Sequence, residues 1–173
     1  MKGNFFINFQ SRIHKSVLVK ETLLFFAAYV VVGYAGVVAV VLLSKGAWFV
    51  LGVALTALVL RYTLSEFIHR LAKRQRPYQF YGFTPPQSRL FTTKHLQADS
   101  FPSDHEFILT FLAITALLVS TPVAWLGLFL TPFVGFARVA LGYHYATDCM
   151  AGVVLGVLCG FVFILIINST LFT

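Results

Sequence analysis

The sequence predicts an all-α integral membrane protein: a bundle of five transmembrane helices preceded by an N-terminal amphipathic helix at the bilayer interface. Three observations carry this reading. Of the 173 residues, 58% are hydrophobic and only 11% charged, and the mean hydropathy of +0.83 lies far above what a soluble domain needs to coat its surface. Crossing the hydrocarbon takes about 20 apolar residues per helix, and five stretches qualify: Thr22 to Leu43, Ala47 to Ile68, Asp104 to Ser120, Val123 to Leu141 and Thr147 to Asn168. The charged residues gather at the ends of these stretches, and no repeat or linker divides them. The chain is therefore expected to form a single membrane-embedded domain over residues 1–173.

Taken in order, residues 1–20 place Phe5, Phe6, Phe9, Ile13 and Val17 on roughly one helical face, with Arg12, Lys15 and Lys20 largely elsewhere. That is the pattern of a helix lying in the membrane interface. The first apolar run is too long for a secretory signal and ends in no small-residue cleavage pattern, so it is expected to be retained. The second span continues into "EFIHRLAKRQRP" and ends at Pro77, because the residue before a proline disfavours helical backbone. Arg61 and Glu66 fall in or near this span, where an ionisable group needs a partner or water. Between Tyr78 and Phe101, aromatic, proline and basic residues alternate, as they do at headgroup level. The third span opens on Ser103-Asp104-His105-Glu106, and Ser103 followed by Glu106 has the spacing of a capping box. Cys149 and Cys159 lie on the last span about 15 Å apart by helical rise, beyond disulfide reach.

The formal charge of +7 finds little exposed surface on which nucleic acid could dock. Anionic membrane lipid or a phosphorylated substrate fits better. The alternation of spans brings three distant clusters to one membrane face: "HRLAKRQRP", "PSDH" and "ARVALGYHYATD". Arg76 and Arg138 supply planar forks suited to phosphate oxygens, and the start of the third span supplies unpaired amides and a positive helix end. His144 and Asp148 are four apart, so a carboxylate can hold one imidazole nitrogen and leave the other free to attack. A single His or Arg at a helix end is ordinarily an interfacial anchor. Two arginines, two histidines and an aspartate at one level point to phosphate handling.

These clusters resemble the type 2 phosphatidic acid phosphatase superfamily, whose motifs are Lys, six residues, Arg-Pro; Pro-Ser-Gly-His; and Ser-Arg, five residues, His, three residues, Asp. The matching residues are Arg76-Pro77, Pro102-Ser103 with His105, and Arg138, His144 and Asp148. The resemblance runs from Phe67 to Gly152. It departs at His69, which stands at the lysine position with Lys73 one turn nearer Arg76, at Asp104 in place of glycine, and at Ala137 in place of serine. The "SFPSDH" form is most similar to the bacterial undecaprenyl pyrophosphate phosphatase branch.

The resemblance implies a phosphatase without metal or cofactor that works through a phosphohistidine and recycles a cell-wall lipid carrier. His144 would be the nucleophile, Asp148 its orienter and His105 the proton donor to the leaving group. Arg76, Arg138, Ser103 and either Lys73 or His69 would bind phosphoryl oxygens. The substrate would be a polyprenyl or other lipid phosphate, with phosphatidylglycerophosphate, phosphatidic acid and lipid A phosphates as rivals. Haem ligation by the histidines is a reading from another class. Lysines and arginines crowd the active face, which by the positive-inside rule would be cytoplasmic. The undecaprenyl branch implies instead the outer face of a bacterial cytoplasmic membrane.

Overall fold

The structure is a computed structural model that describes residue 13, residues 15–86 and residues 99–171, apart from the side chains of Leu60, Leu64, Ser65, His69, Arg70 and Leu171. Among the described residues it is entirely helical: α1 (Val17–Ser44), α2 (Trp48–Ala72), α3 (Pro77–Tyr81), α4 (Asp104–Ala116), α5 (Thr121–Ala140) and α6 (Ala146–Leu171). Four of these, α1, α2, α5 and α6, are long and apolar enough to cross a membrane. The protein is a multi-pass membrane protein.

The third predicted span is shorter than expected. Its α-helix covers 13 residues, about 20 Å at 1.5 Å per residue. Beyond Ala116, tighter bonds carry the chain on to Ser120: Leu117 N–H donates to the Ile114 carbonyl, Leu118 to Thr115 and Val119 to Ala116, each at 3.1 Å. A short helix suffices here because α4 is enclosed by protein. Phe107, Leu109, Phe111, Leu112, Ala113 and Ile114 are all buried, and α4 packs most extensively on α6 and α5, then on α1. The longer helices turn one stripe to this centre and the rest to lipid. On α1 the buried residues are Leu24, Ala27, Val31, Tyr34, Val38 and Leu42, three or four apart, while Phe25, Val32 and Val40 are exposed.

The close approach of α6 to α4 depends on Gly152, Gly156 and Gly160, which share one helical face. A Cβ at Gly152 would collide with the Ser103 carbonyl oxygen, and one at Gly156 would lie 2.7 Å from that of Phe107. By contrast, α2 rests chiefly on α1 and α4, which leaves a groove along its side facing α6. Hydroxyls inside the bundle bond back to their own helices, as Thr110 does to the Glu106 carbonyl at 2.7 Å and Thr131 to that of Gly127 at 3.0 Å. Cys149 and Cys159 are free thiols, as their spacing predicts.

Two expectations need correction: α2 ends at Ala72 and does not run on to Pro77, and the start of α4 is not capped as its spacing suggests. Residues 1–12 and His14, most of the amphipathic N-terminal helix, lie outside the described residues, and its last turn, Val17–Lys20, is the start of α1. The Ser16 side chain caps that helix by accepting from Val19 N–H. The capping box at the start of α4 does not form either. Ser103 is the N-cap residue but makes no side-chain cap, and the Glu106 carboxylate is buried with neither oxygen hydrogen-bonded. Glu106 instead packs against α5 and α6, where its atoms limit the space at Gly135 and Gly152. The start of α4 is held by backbone: Ser103 N–H donates to the Asp148 carbonyl at 3.0 Å.

Candidate active site

The third motif lies on the turn from α5 to α6. Arg138 lies in the last turn of α5, where a cation complements the helix dipole, and the chain then reverses with Tyr143 N–H donating to the Arg138 carbonyl at 3.0 Å. Gly142, with φ of +75°, makes this reversal, in a region that other residues enter only at a cost. Tyr78 N–H donates to the Gly142 carbonyl at 3.2 Å. That bond fastens α3, and with it Arg76, beside His144.

His144 is buried, and its two ring nitrogens have different surroundings. Nδ1 lies 2.7 Å from the Ser100 carbonyl oxygen, which can only accept, so Nδ1 carries the proton. Nε2 is then an acceptor. The Arg76 Nη1–H donates to it at 3.2 Å and the Arg138 Nη2–H at 3.0 Å. Each arginine is anchored elsewhere as well, Arg76 by the Tyr143 carbonyl at 2.9 Å and the Asp99 carbonyl at 3.3 Å, Arg138 by the Ala27 carbonyl at 2.9 Å.

Both arginines are only 5% exposed, so two like charges have been removed from water beside one neutral nitrogen. Burial pulls the Arg76 guanidinium below its ordinary value, against the opposing pull of Tyr78, Asp104, Asp148 and Asp99. An anion entering between the two forks would relieve this arrangement.

Asp148 differs from the expected orienter. Its Oδ2 lies 3.8 Å from His144 Nδ1, too far for a hydrogen bond, and accepts from Tyr145 N–H at 2.9 Å. That is the reach-back half of a capping box, found at α6 instead of α4. Its Oδ1 accepts from Arg74 Nη1 at 2.6 Å. Arg74 also donates to Thr147 Oγ1 at 2.9 Å and stacks over the Tyr145 ring at 4.3 Å. Arg74 and the Ser100 carbonyl are the two contributors that sequence reasoning overlooked. Neither was legible: the second span was expected to stay helical up to Pro77, whereas α2 ends at Ala72 and Arg74 and Arg76 fall on the non-helical stretch that follows it.

His105 stands in the first turn of α4 with a buried Nδ1 that has no partner. Ser103 is fully buried beside it. Lys73 is exposed and ends α2 in a left-handed conformation with φ of 44°. It takes no part in the cluster around His144. The side chain of His69 lies outside the described residues. Among the described residues no three His, Cys, Asp or Glu side chains come together as metal ligands.

Beside this cluster, a groove of about 470 Å³ opens between α2, α4 and α6. Its walls are almost wholly hydrocarbon, from Val53 and Ala57 through Phe111 to Leu155, Leu158 and Val162, with Pro102, Arg61 and Asp104 among its lining residues.

The chain is similar to known proteins. The chain is 31% identical over 101 residues to the bacitracin transport permease protein BcrC of Bacillus licheniformis, covering 58% of this chain and 49% of that protein. It is 30% identical over 69 residues to the undecaprenyl-diphosphatase BcrC of Bacillus subtilis (strain 168), covering 40% and 36% respectively. It thus spans half or less of the length of these curated relatives. A crystal structure described as the first transmembrane PAP2 type phosphatidylglycerolphosphate phosphatase from Bacillus subtilis has the same fold. The TM-score is 0.54 over 95% of this chain and 93% of that one, at 18% identity. The model of the PAP2 superfamily matches residues 47–171, a range that holds every residue of the His144 cluster except the Ala27 carbonyl, and the chain belongs to that superfamily.

Proposed function

We propose that the protein is a membrane phosphatase that hydrolyses undecaprenyl pyrophosphate to undecaprenyl phosphate through a phosphohistidine at His144. The observation that carries this reading is the His144 Nε2 lone pair held between two buried guanidinium forks. The Nε2 lone pair attacks the terminal phosphorus, and the bond from that phosphorus to the bridging oxygen breaks, releasing the lipid monophosphate. Water then attacks the phosphorus, and inorganic phosphate leaves as the imidazole is regenerated. The two forks stabilise the charge spread over the equatorial oxygens, and the Ser100 carbonyl holds the Nδ1 proton that lets the ring accept a phosphoryl group. The family resemblance assigns His105 to the leaving oxygen, and Ser103 and the first amides of α4 complete the anion pocket. The apolar groove takes the lipid chain, and the undecaprenyl-diphosphatase among the relatives supports a diphosphate substrate.

Phosphate release from a panel of lipid diphosphates and monophosphates in detergent tests this directly. Polyprenyl diphosphates should have the highest kcat/KM, and excess EDTA should leave the rate unchanged. Preference for phosphatidylglycerophosphate, or loss of activity on chelation with recovery on adding Mg²⁺ or Zn²⁺, would overturn the substrate or the mechanism respectively.

We place the active face outside the bacterial cytoplasmic membrane. The positive-inside count weighs against this, but Arg74 and Arg76 are committed to Asp148 and to the His144 cluster and serve the site irrespective of topology. Thr84 is exposed on that face. In a background without Cys149 and Cys159, Thr84→Cys should react with a membrane-impermeant maleimide in intact cells. Labelling only after permeabilisation would reverse the orientation.

A further inference from the structure

Arg61 is a guanidinium inside an otherwise apolar stretch of a spanning helix. Its side chain is 9% exposed and forms an ion pair with Asp104, while its guanidinium lies 5.4 Å from the centre of the Phe107 ring. A charge at such depth is costly, so it needs a reason as well as a partner. A staple joining α2 to the start of α4 would be one, but an apolar contact would serve that purpose without burying the Arg61 charge.

The position of the pair suggests another role. Arg61 and Asp104 both line the hydrocarbon-walled groove, and Asp104 is the first residue of α4, directly between Ser103 and His105. The pair therefore stands where a chain lying in the groove would meet the phosphate-receiving cluster.

We propose that Arg61 is the subsite for the second, lipid-linked phosphate of a diphosphate lipid whose chain occupies the groove, with Asp104 holding the guanidinium until that phosphate replaces it. This rests on the phosphatase reading above. When His144 takes the terminal phosphoryl group, the bond that breaks leaves its electron pair on the lipid-linked phosphate. Arg61 then neutralises the charge of the leaving group as it develops. A lipid monophosphate places its one phosphate at His144 and leaves as an alcohol, so Arg61 has nothing to bind. Arg61 is thus a specificity-determining residue for diphosphates.

The test compares wild type and Arg61→Gln on farnesyl diphosphate and farnesyl monophosphate in detergent. The variant should lose about 10- to 100-fold in kcat/KM on the diphosphate, the scale for removing a charged partner from a phosphate, and less than about twofold on the monophosphate. Arg61→Lys should recover part of the diphosphate preference. Equal losses on both substrates would make the pair a structural staple. No loss on either would mean that the groove takes bulk lipid chains. If Arg61→Gln fails to fold, Asp104→Asn still decides, since it removes the competing carboxylate and leaves Arg61 in place. The diphosphate KM should then fall about two- to fivefold with the monophosphate KM unchanged, and a raised or unaltered diphosphate KM would overturn the subsite. Wild type inactive on both substrates would sink the phosphatase reading itself, an outcome distinct from all of these.

Discussion

His144→Ala is expected to lower kcat by about 10⁴-fold or more, the scale seen when a covalent nucleophile is removed from a preorganised site. Alanine offers no lone pair, so the two-step route closes, while the arginines remain to bind substrate. KM should therefore change far less than kcat. The bundle should still fold, because α4, α5 and α6 meet through apolar contacts that do not involve the ring. Wild type quenched during turnover of a lipid diphosphate labelled in its terminal phosphate should carry alkali-stable, acid-labile label, and His144→Ala should carry none. Asp148→Asn makes a useful contrast. Its amide oxygen can still cap Tyr145, and the Ser100 carbonyl remains on Nδ1 at 2.7 Å, so its loss should be smaller, about 10- to 100-fold. More than a tenth of wild-type activity in His144→Ala, or label retained there, would rule out His144 as the nucleophile.

The different sizes of these effects follow from a geometry that only partly showed in the sequence. The helices were legible because spanning a bilayer demands long apolar runs. The meeting of Arg76, Arg138 and His144 was legible because alternating spans fix which helix ends share a face. The partners of those residues were not. Asp148 and His144 have the spacing of a helical pair, yet His144 precedes the helix in the turn, so the i,i+4 rule did not apply and a backbone carbonyl 44 residues away accepts the Nδ1–H hydrogen bond. Ser103 and Glu106 have capping-box spacing, yet Glu106 turns inward to pack against α5 and α6. Spacing reports which residues can meet on a regular helix. It does not report which competitor is nearer once the helices pack.

That packing can be tested at one residue, and Gly152→Val is expected to disrupt both fold and function. A Cβ at position 152 would collide with the Ser103 carbonyl oxygen and lie 2.9 Å from the Glu106 Cβ and 3.3 Å from the Phe107 nitrogen. Backbone atoms cannot swing aside as the tip of a side chain can, so α6 would have to move away from α4. The branched methyls of valine add to that displacement. Overpacking of this kind costs about 3 kcal/mol, and the first bond at risk is the one from Ser103 N–H to the Asp148 carbonyl. Losing it would separate the start of α4, with His105, from the start of α6 and the turn that holds His144. Activity should therefore fall even in the fraction that folds. Gly36→Val supplies the comparison, since an added Cβ there meets nothing within 4 Å and the position faces lipid on α1. It should leave stability within about 0.5 kcal/mol of wild type and activity unchanged. Thermal unfolding in detergent, monitored together with phosphate release, separates the two variants. Wild-type stability in Gly152→Val would mean that α4 and α6 do not approach as closely as the collision requires.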